Sequence, residues 1–482
     1  MAGDFVDVLI VGAGLSGIGA AVHLQRHCPE RSIAILEARD ALGGTWDLFR
    51  YPGVRSDSDM YTLGYSFRPW TGAKTIADGP SILEYLRETA REHGIDRLIR
   101  YRHRVQRASW SSDDARWTIE AERESGERVS LQCAFLLVCS GYYEYGEGYT
   151  PDFPGLERFG GRVVHPQHWT SDIDYAGKRI VVIGSGATAV TMVPDLARDA
   201  AHVTMLQRSP SYMISVPSVD PAANWLRRHL RPGTAHAIAR WMSTLVSMGI
   251  FKLCRGRPSF AKAVLLKQVR RQLGPDYDIE KHFTPRYNPW EQRLCIVPDG
   301  DFFKAIRSGR ASIATDRIES FTETGLRLAS GAELPADLVI TATGLKLKLV
   351  GGIELDVDGR RLVPAELVNY KGVMFAGVPN FATVFGYTNA SWTLKADLAS
   401  TFVCRLLNHM RETGARQCVP GTKDESMALQ PWVDFSSGYF QRAMDQMPKQ
   451  GEKRPWKLNQ NYVADFLTLR FGAVNDGVMR FS

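Results

Sequence analysis

The chain has 482 residues, more than one hydrophobic core usually serves, so two or three domains are expected. Its 44% hydrophobic and 23% charged residues are those of an ordinary folded soluble protein. A net charge of +7 with a pI near 9.0 suits anionic cofactors or an acidic membrane surface; with no Lys/Arg run that tracks phosphates, a nucleic-acid partner is excluded.

Seven cysteines are scattered without CxxC or Cys/His metal spacing, so free thiols in a reducing cytoplasm and no metal are expected. The N-terminus runs straight into DFVDVLIVG, without the basic segment and cleavage site of a signal peptide. The uncharged hydrophobic piece WMSTLVSMGIF from Trp241 is too short to span a bilayer.

The first element predicted is a strand, VDVLIVG, followed by Gly12, Gly14 and Gly17 and then a helical pattern. A buried parallel strand reads this way. The glycines serve the tight turn, close approach to a diphosphate and helix–strand packing, and the helix N-terminus offers free N–H groups to an anion. The next strand, SIAILE, ends in Glu37, twenty positions beyond Gly17. A carboxylate there accepts ribose hydroxyls and repels a 2′-phosphate, which favours FAD or NAD over NADP.

LLVCSGYY from Leu136 is a strand-then-glycine segment that ends an α/β unit. The pattern recurs in KRIVVIGSGATAVTMVPDLA, which supplies Gly184, Gly186 and Ala189. The following strand, VTMLQRSP, ends without an acid; Arg208 can pair with a 2′-phosphate and Ser209 can donate to it, so this second site prefers NADPH. Two such sites with opposite end-of-strand chemistry predict an α/β flavoprotein with two Rossmann-like dinucleotide-binding domains, one holding FAD and the other receiving NADPH as hydride donor.

From Asp220 to about Glu280 the sequence becomes helical, rich in Arg and Lys and nearly free of acids. This helical insert either packs over an active-site mouth with solvated basic flanks or rests as a peripheral contact on an anionic membrane face. TATG at Thr341–Gly344 ends a further strand. Beyond Val350, GVMFAGV, FATVFGY and the helix TLKADLASTFVCRLLNHM fit a return to the first nucleotide domain.

Between the two glycine turns lies F-x-G-x-x-x-H-x-x-x-W: Phe159, Gly161, His165 and Trp169. This resembles the fingerprint of Baeyer–Villiger monooxygenases, within the class B flavoprotein monooxygenases, although Thr170 stands where that family normally places Pro or Asp. GGTWDLFRYPGVRSDSDMYTLGYSFRPW, NPWEQRLC and GYTNASWTLKADL further resemble the actinobacterial subgroup that activates the thioamide ethionamide.

The resemblance covers essentially the whole chain. It implies an FAD domain (1–145 and 370–482), an NADPH domain (146–215 and 285–369) and a helical insert (216–284). It implies oxidation of a ketone to an ester or lactone with NADPH and O2, through oxygen added at the flavin C4a position, and activity on sulfides or thioamides; the alternative is a flavin monooxygenase acting mainly on S or N. It aligns Arg293 and Asp57 as the catalytic pair, because a developing oxyanion calls for a fixed guanidinium and a buried guanidinium for a carboxylate. Thr45, Trp46, Asp47 and Leu48 would line the flavin, Val105 would contact the adenine, and Ser16 the diphosphate. Ser185, Ala187, Thr188 and Val190 complete the second nucleotide loop. Asn389 and Ser391 would close on the isoalloxazine or substrate, and His165 would position the two domains. A disulfide reductase also binds FAD and NADPH, but it needs a close redox cysteine pair that this sequence lacks. A non-catalytic nucleotide sensor on a membrane surface is the third class.

Overall fold

A computed structural model describes residues 4–422 and 426–482. The chain opens as a strand–turn–helix unit, β1 (Asp4–Val11), α1 (Leu15–His27) and β2 (Ile33–Leu36). The short helices α2 (Thr45–Leu48) and α3 (Met60–Leu63) follow, then α4 (Gly79–Glu92), whose first turn is capped by the Asp78 side chain accepting from Ser81 N–H. Next come β3 (Ile99–Arg100), β4 (His103–Ser111), β5 (Arg116–Arg123) and β6 (Arg128–Val138). β1 lies between β2 and β6, parallel to both, and β4–β5–β6 form an antiparallel meander beside them. The apolar run Val8–Val11 is buried, as a central parallel strand covered on both faces must be.

β7 (Tyr143–Gly148) carries the chain into a second sheet. There β8 (Arg162–Val164), β9 (Arg179–Ile183), α5 (Ala187–Leu196) and β10 (His202–Gln207) repeat the strand–turn–helix–strand order of the first unit. After β11 (Met213–Val216) come the helices of the insert, α6 (Pro221–His229), α7 (Pro232–Gly256) and α8 (Pro258–Leu273), followed by α9 (Ile279–Phe283). Each of α6, α7 and α8 starts on a proline, which fixes the breaks between them because proline is preorganised for a first turn and lacks the N–H a helix interior needs.

β12 (Cys295–Pro298) closes the insert by pairing in parallel with β11. α10 (Asp301–Arg307), β13 (Ala311–Thr315), the antiparallel trio β14 (Ile318–Thr322), β15 (Gly325–Leu328) and β16 (Glu333–Pro335), and β17 (Leu338–Thr341) complete the second unit. Its main sheet is parallel throughout, in the order β13-β10-β9-β17-β8. β18 (Leu345–Leu347) then pairs antiparallel with β7, so the two chain crossings between units form one ribbon.

The return to the first sheet comes earlier than residue 370, the boundary expected from sequence. β19 (Glu354–Val357) pairs in parallel with β4, and β20 (Arg360–Arg361) pairs with β19. The reason is the ribbon: β18 delivers the chain to the meander edge before the run of strands around Phe375 begins. Strand Phe381–Thr383 then pairs with β6, and α11 (Trp392–Thr413) packs on α1. α12 (Gly438–Gln441) and α13 (Tyr462–Arg470) end the helical order. One apolar core lies on each face of the first sheet and one on each face of the second; Tyr51 and Val54, from a loop of the first unit, are built into the larger core of the second.

Candidate active site

The two glycine turns are built alike. Gly12 N–H donates to Leu36 O and Gly184 N–H to Leu206 O, each at 2.8 Å. Both glycines have positive φ, +102° and +136°, and a Cβ on either would strike the end of the neighbouring strand, Cys139 O at 2.7 Å or Ala342 O at 2.3 Å. LLVCSG and TATG therefore occupy equivalent places in the two units. Gly17 is needed for contact, since a Cβ there would lie 1.9 Å from Gly12 O; in the second unit its counterpart is Ala189, fully buried.

Around the first turn, Gly14 caps α1 without a side chain, which leaves the helix N-terminus to a ligand anion. The buried Glu37 carboxylate accepts from Ala13 N–H at 2.7 Å and Arg39 N–H at 2.9 Å, while burial raises its pKa against those bonds. Val105 is buried on β4, two residues beyond His103, whose N–H donates to Glu37 O. The GGTW segment folds over the turn: Gly43 N–H donates to Ala13 O, and Thr45 Oγ1 meets Tyr145 Oη at 3.3 Å. Trp46 packs against the α1 core, and Leu48 is half-buried. Asp47 is 2% exposed, and its carboxylate faces Arg39, Arg50 and Arg87 at 2.6, 3.5 and 3.7 Å, so it organises arginines around this loop. Ser16 Oγ accepts from Trp392 Nε1 at 2.8 Å, which brings the GYTNASW segment onto the turn. There Ser391 Oγ is buried without a hydrogen-bond partner among the described residues, and Asn389 Nδ2 donates to Gln460 O at 2.9 Å.

The second turn is open. Gly186 and Ala187 are exposed at the start of α5, and a Cβ on Gly186 would meet nothing within 4 Å. Thr188 follows on the same helix turn, and Val190 is buried behind it. Ser185 Oγ donates to Ser209 O at 2.9 Å, clamping the exposed loop of Arg208 and Ser209 beside this helix end.

Asp57 and Arg293 meet between the turns. Arg293 Nε donates to Asp57 Oδ2 at 3.0 Å, with about a third of each side chain accessible (34% and 33%). The pair is thus half-buried, not buried as the sequence suggested. Asp57 raises the Arg293 pKa further, against burial, so the guanidinium stays charged throughout the accessible pH range.

Tyr142, Tyr143 and Tyr439 stand in the field of this cation, and burial pushes all three phenols up. The rings of Tyr142 and Tyr143 lie 4.5 Å apart, and Tyr142 also packs on Trp392 at 5.2 Å. Tyr51, hydrogen-bonded to Thr188, is pushed up to about 12 by burial. Cys295, two residues beyond Arg293, is likewise pushed up to about 12 by burial, and its thiol donates to Ser185 O at 3.8 Å. Tyr142, in the field of Arg293, reaches the first turn through Trp392 and Ser16, and Cys295, two residues along the chain from Arg293, reaches the second through Ser185. Sequence reasoning missed this tyrosine wall. The GYYEYGEGY run after β6 is its only local signal; Tyr439 has none.

The fingerprint residues lie on the ribbon side of the second unit. His165 is neutral: burial lowers its pKa, Nε2–H donates to Gly344 O at 3.1 Å, and Nδ1 accepts from Gln167 N–H at 3.2 Å. Gln167 in turn donates to Glu144 O and Tyr145 O on β7. Phe159 packs at 5.8 Å on Phe321, Gly161 allows close approach to Asp337 O, and Trp169 meets Tyr175 at 5.9 Å. All seven cysteines are buried free thiols.

A flavin-binding monooxygenase-like profile matches residues 75–224, and an NAD(P)-binding Rossmann-like domain matches residues 10–85. Over 480 residues the chain is 53% identical to the FAD-containing monooxygenase EthA of Mycolicibacterium smegmatis, covering 99% of this chain and 97% of the relative. The chain belongs to the FAD-containing monooxygenases. A probable FAD-binding monooxygenase, AlmA of Acinetobacter baylyi, is 47% identical over 478 residues, covering 99% and 96%. In fold, this monooxygenase resembles a steroid monooxygenase bound to NADP (TM-score 0.74, 24% identity, 88% of both chains) and cyclohexanone monooxygenase from Rhodococcus sp. Phi1 bound to NADP+ (0.75, 19%, 100% of both). FAD and NADP are its cofactors. The two glycine cradles, each closed to any Cβ at its first glycine and each with an uncapped helix end, fit two dinucleotides. Among the described residues, no helix is long and apolar enough to cross a membrane.

Proposed function

We propose that this monooxygenase inserts one oxygen atom beside a ketone carbonyl, giving an ester or lactone, and also oxygenates sulfides and thioamides. FAD is held at the first glycine turn, by Gly12, Gly14, Ser16, Gly17 and Glu37. NADPH is held at the second, by Gly184–Val190 with Arg208 and Ser209. When bound, the flavin supplies oxygen activation and the nicotinamide supplies the hydride.

The observation that carries this reading is the Arg293–Asp57 pair, with the phenols of Tyr142, Tyr143 and Tyr439 in the field of its cation. Ketone oxygenation places negative charge on the carbonyl oxygen. A preorganised cation lowers that barrier without reorganising at the moment of reaction. Arg293 provides the charge at every working pH, and Asp57 fixes its direction while leaving the other guanidinium donors to the substrate. The phenols of Tyr142 and Tyr143 stay protonated at neutral pH, so they serve as donors and exclude water. His165 acts through the ribbon: it ties Gly344 to the second unit and sets how the two turns face each other.

The test is product identification from purified enzyme given NADPH, O2, one small ketone and one sulfide. Ester or lactone from the ketone, alongside sulfoxide, is expected. Sulfoxide with the ketone returned unchanged would assign the enzyme to S- or N-oxygenation.

A further inference from the structure

We infer that α6, α7, α8 and α13 form a lipid-docking face that seats the enzyme peripherally on an anionic bilayer. This stands independently of the oxygenation chemistry proposed above.

The inner side of α7 is already satisfied by protein. Arg240, Thr244 and Cys254 are buried, and Trp241 packs edge-on against Tyr462 and Phe466 of α13. Its outer side is apolar and exposed: Ile238, Met242, Leu245, Val246, Ile250 and Leu253 recur at three- and four-residue spacing, which lines them along one stripe. Leu245 is 54% and Val246 61% exposed. The neighbouring helices continue the surface, with Trp225 on α6, Phe260 and Val264 one turn apart on α8, and Leu467 and the adjoining Phe471 at the end of α13. Scattered apolar side chains on a surface are ordinary; a contiguous stripe over four packed helices marks a contact.

Charge selects the occupant. Residues 221–273 contain eleven Lys and Arg and no Asp or Glu. Arg240 is buried and Arg227 is folded back onto Gly72 O and Asn224, but Arg228, Arg231, Lys252, Lys267 and Arg271 are exposed around the apolar stripe. Cations ringing apolar side chains match an anionic headgroup layer over acyl chains. The same ring sets two copies of this face against each other, which disfavours self-association through it.

The experiment is cosedimentation of FAD-loaded enzyme with vesicles of phosphatidylglycerol and phosphatidylcholine, compared with phosphatidylcholine alone. The wild type is expected to pellet with the anionic vesicles only and to be released several-fold by salt at about 0.5 M, where charges beyond about 4 Å are screened. The double variant Leu245→Glu/Val246→Glu should stay in the supernatant while keeping wild-type flavin content and NADPH oxidation. Wild-type enzyme that ignores anionic vesicles, or a variant that pellets equally, overturns the inference. A wild-type dimer that the double variant dissolves, without vesicle binding, assigns the face to a second copy and also overturns it.

Discussion

Arg240 on α7 donates from Nη2 to Asp397 Oδ2 on α11 at 2.8 Å, with both side chains more than nine-tenths excluded from solvent. The same guanidinium donates to Tyr61 O at 2.9 Å and Gly64 O at 2.6 Å, and Asp397 also accepts from Ser66 N–H and faces His23 Nε2 at 3.3 Å. One arginine thus fastens the helical insert to the first unit.

Breaking a buried, fully bonded ion pair from one side costs about 3–5 kcal/mol, because the partner charge is left unpaired. Arg240→Ala is expected to lower unfolding stability by that order. Arg240→Lys should not restore it, since one ammonium cannot reach a carboxylate and two carbonyls in a fixed fork. Denaturant melts of the three proteins check this.

His236, one turn before Arg240, is buried and donates from Nε2 to Tyr65 O; burial, with Arg240 adding to it, lowers its pKa to about 4. A base whose folded pKa lies below its unfolded value near 6.5 binds fewer protons when folded. Its stability contribution is complete above about pH 6.5 and declines as pH falls toward 4. Between pH 7.5 and 5 the loss is about 2 kcal/mol. Unfolding free energies across that range should show this fall in the wild type and a flatter course in His236→Gln.

Arg208 is exposed at the end of β10, held near the second turn by the Ser185–Ser209 bond. Arg208→Ala should raise KM for NADPH about 10- to 100-fold and leave NADH almost unchanged, since only the 2′-phosphate distinguishes them. Steady-state kinetics with both nucleotides decide it.

The His165 ring occupies the space beside Gly148, where a methyl group would lie 2.0 Å from its Cε1. Gly148→Ala therefore displaces the ring, and it should share the phenotype of His165→Ala: folded, flavin-loaded enzyme whose kcat falls about 10-fold with little change in KM. If only one variant is impaired, the ribbon contact is not what matters.

The glycine turns were legible because strand, turn and helix are contiguous in sequence and Gly17 is dictated by Gly12 O five positions before it; the contacts that dictate Gly12 and Gly184 come from the distant strand ends at Cys139 and Ala342. The Asp57–Arg293 pair was legible only through resemblance, since 236 positions separate its members. The tyrosine wall, the β7–β18 ribbon and the early return at β19 come from long-range pairings that leave no periodic trace. The sequence left the basic helical insert open between packing over an active-site mouth and resting on a membrane face, because amphipathic spacing serves both; the exposure of the α7 stripe is visible only in the fold.

The central claim is that Arg293, aimed by Asp57, serves oxygen transfer to a carbonyl and not delivery of electrons to the flavin. Stopped-flow flavin reduction by NADPH, followed by ester quantification from a small ketone, tests it in Arg293→Ala. Reduction within a few-fold of wild type, with ester formation down about 100-fold or more, is predicted. Ester at the wild-type rate with normal reduction would contradict the account.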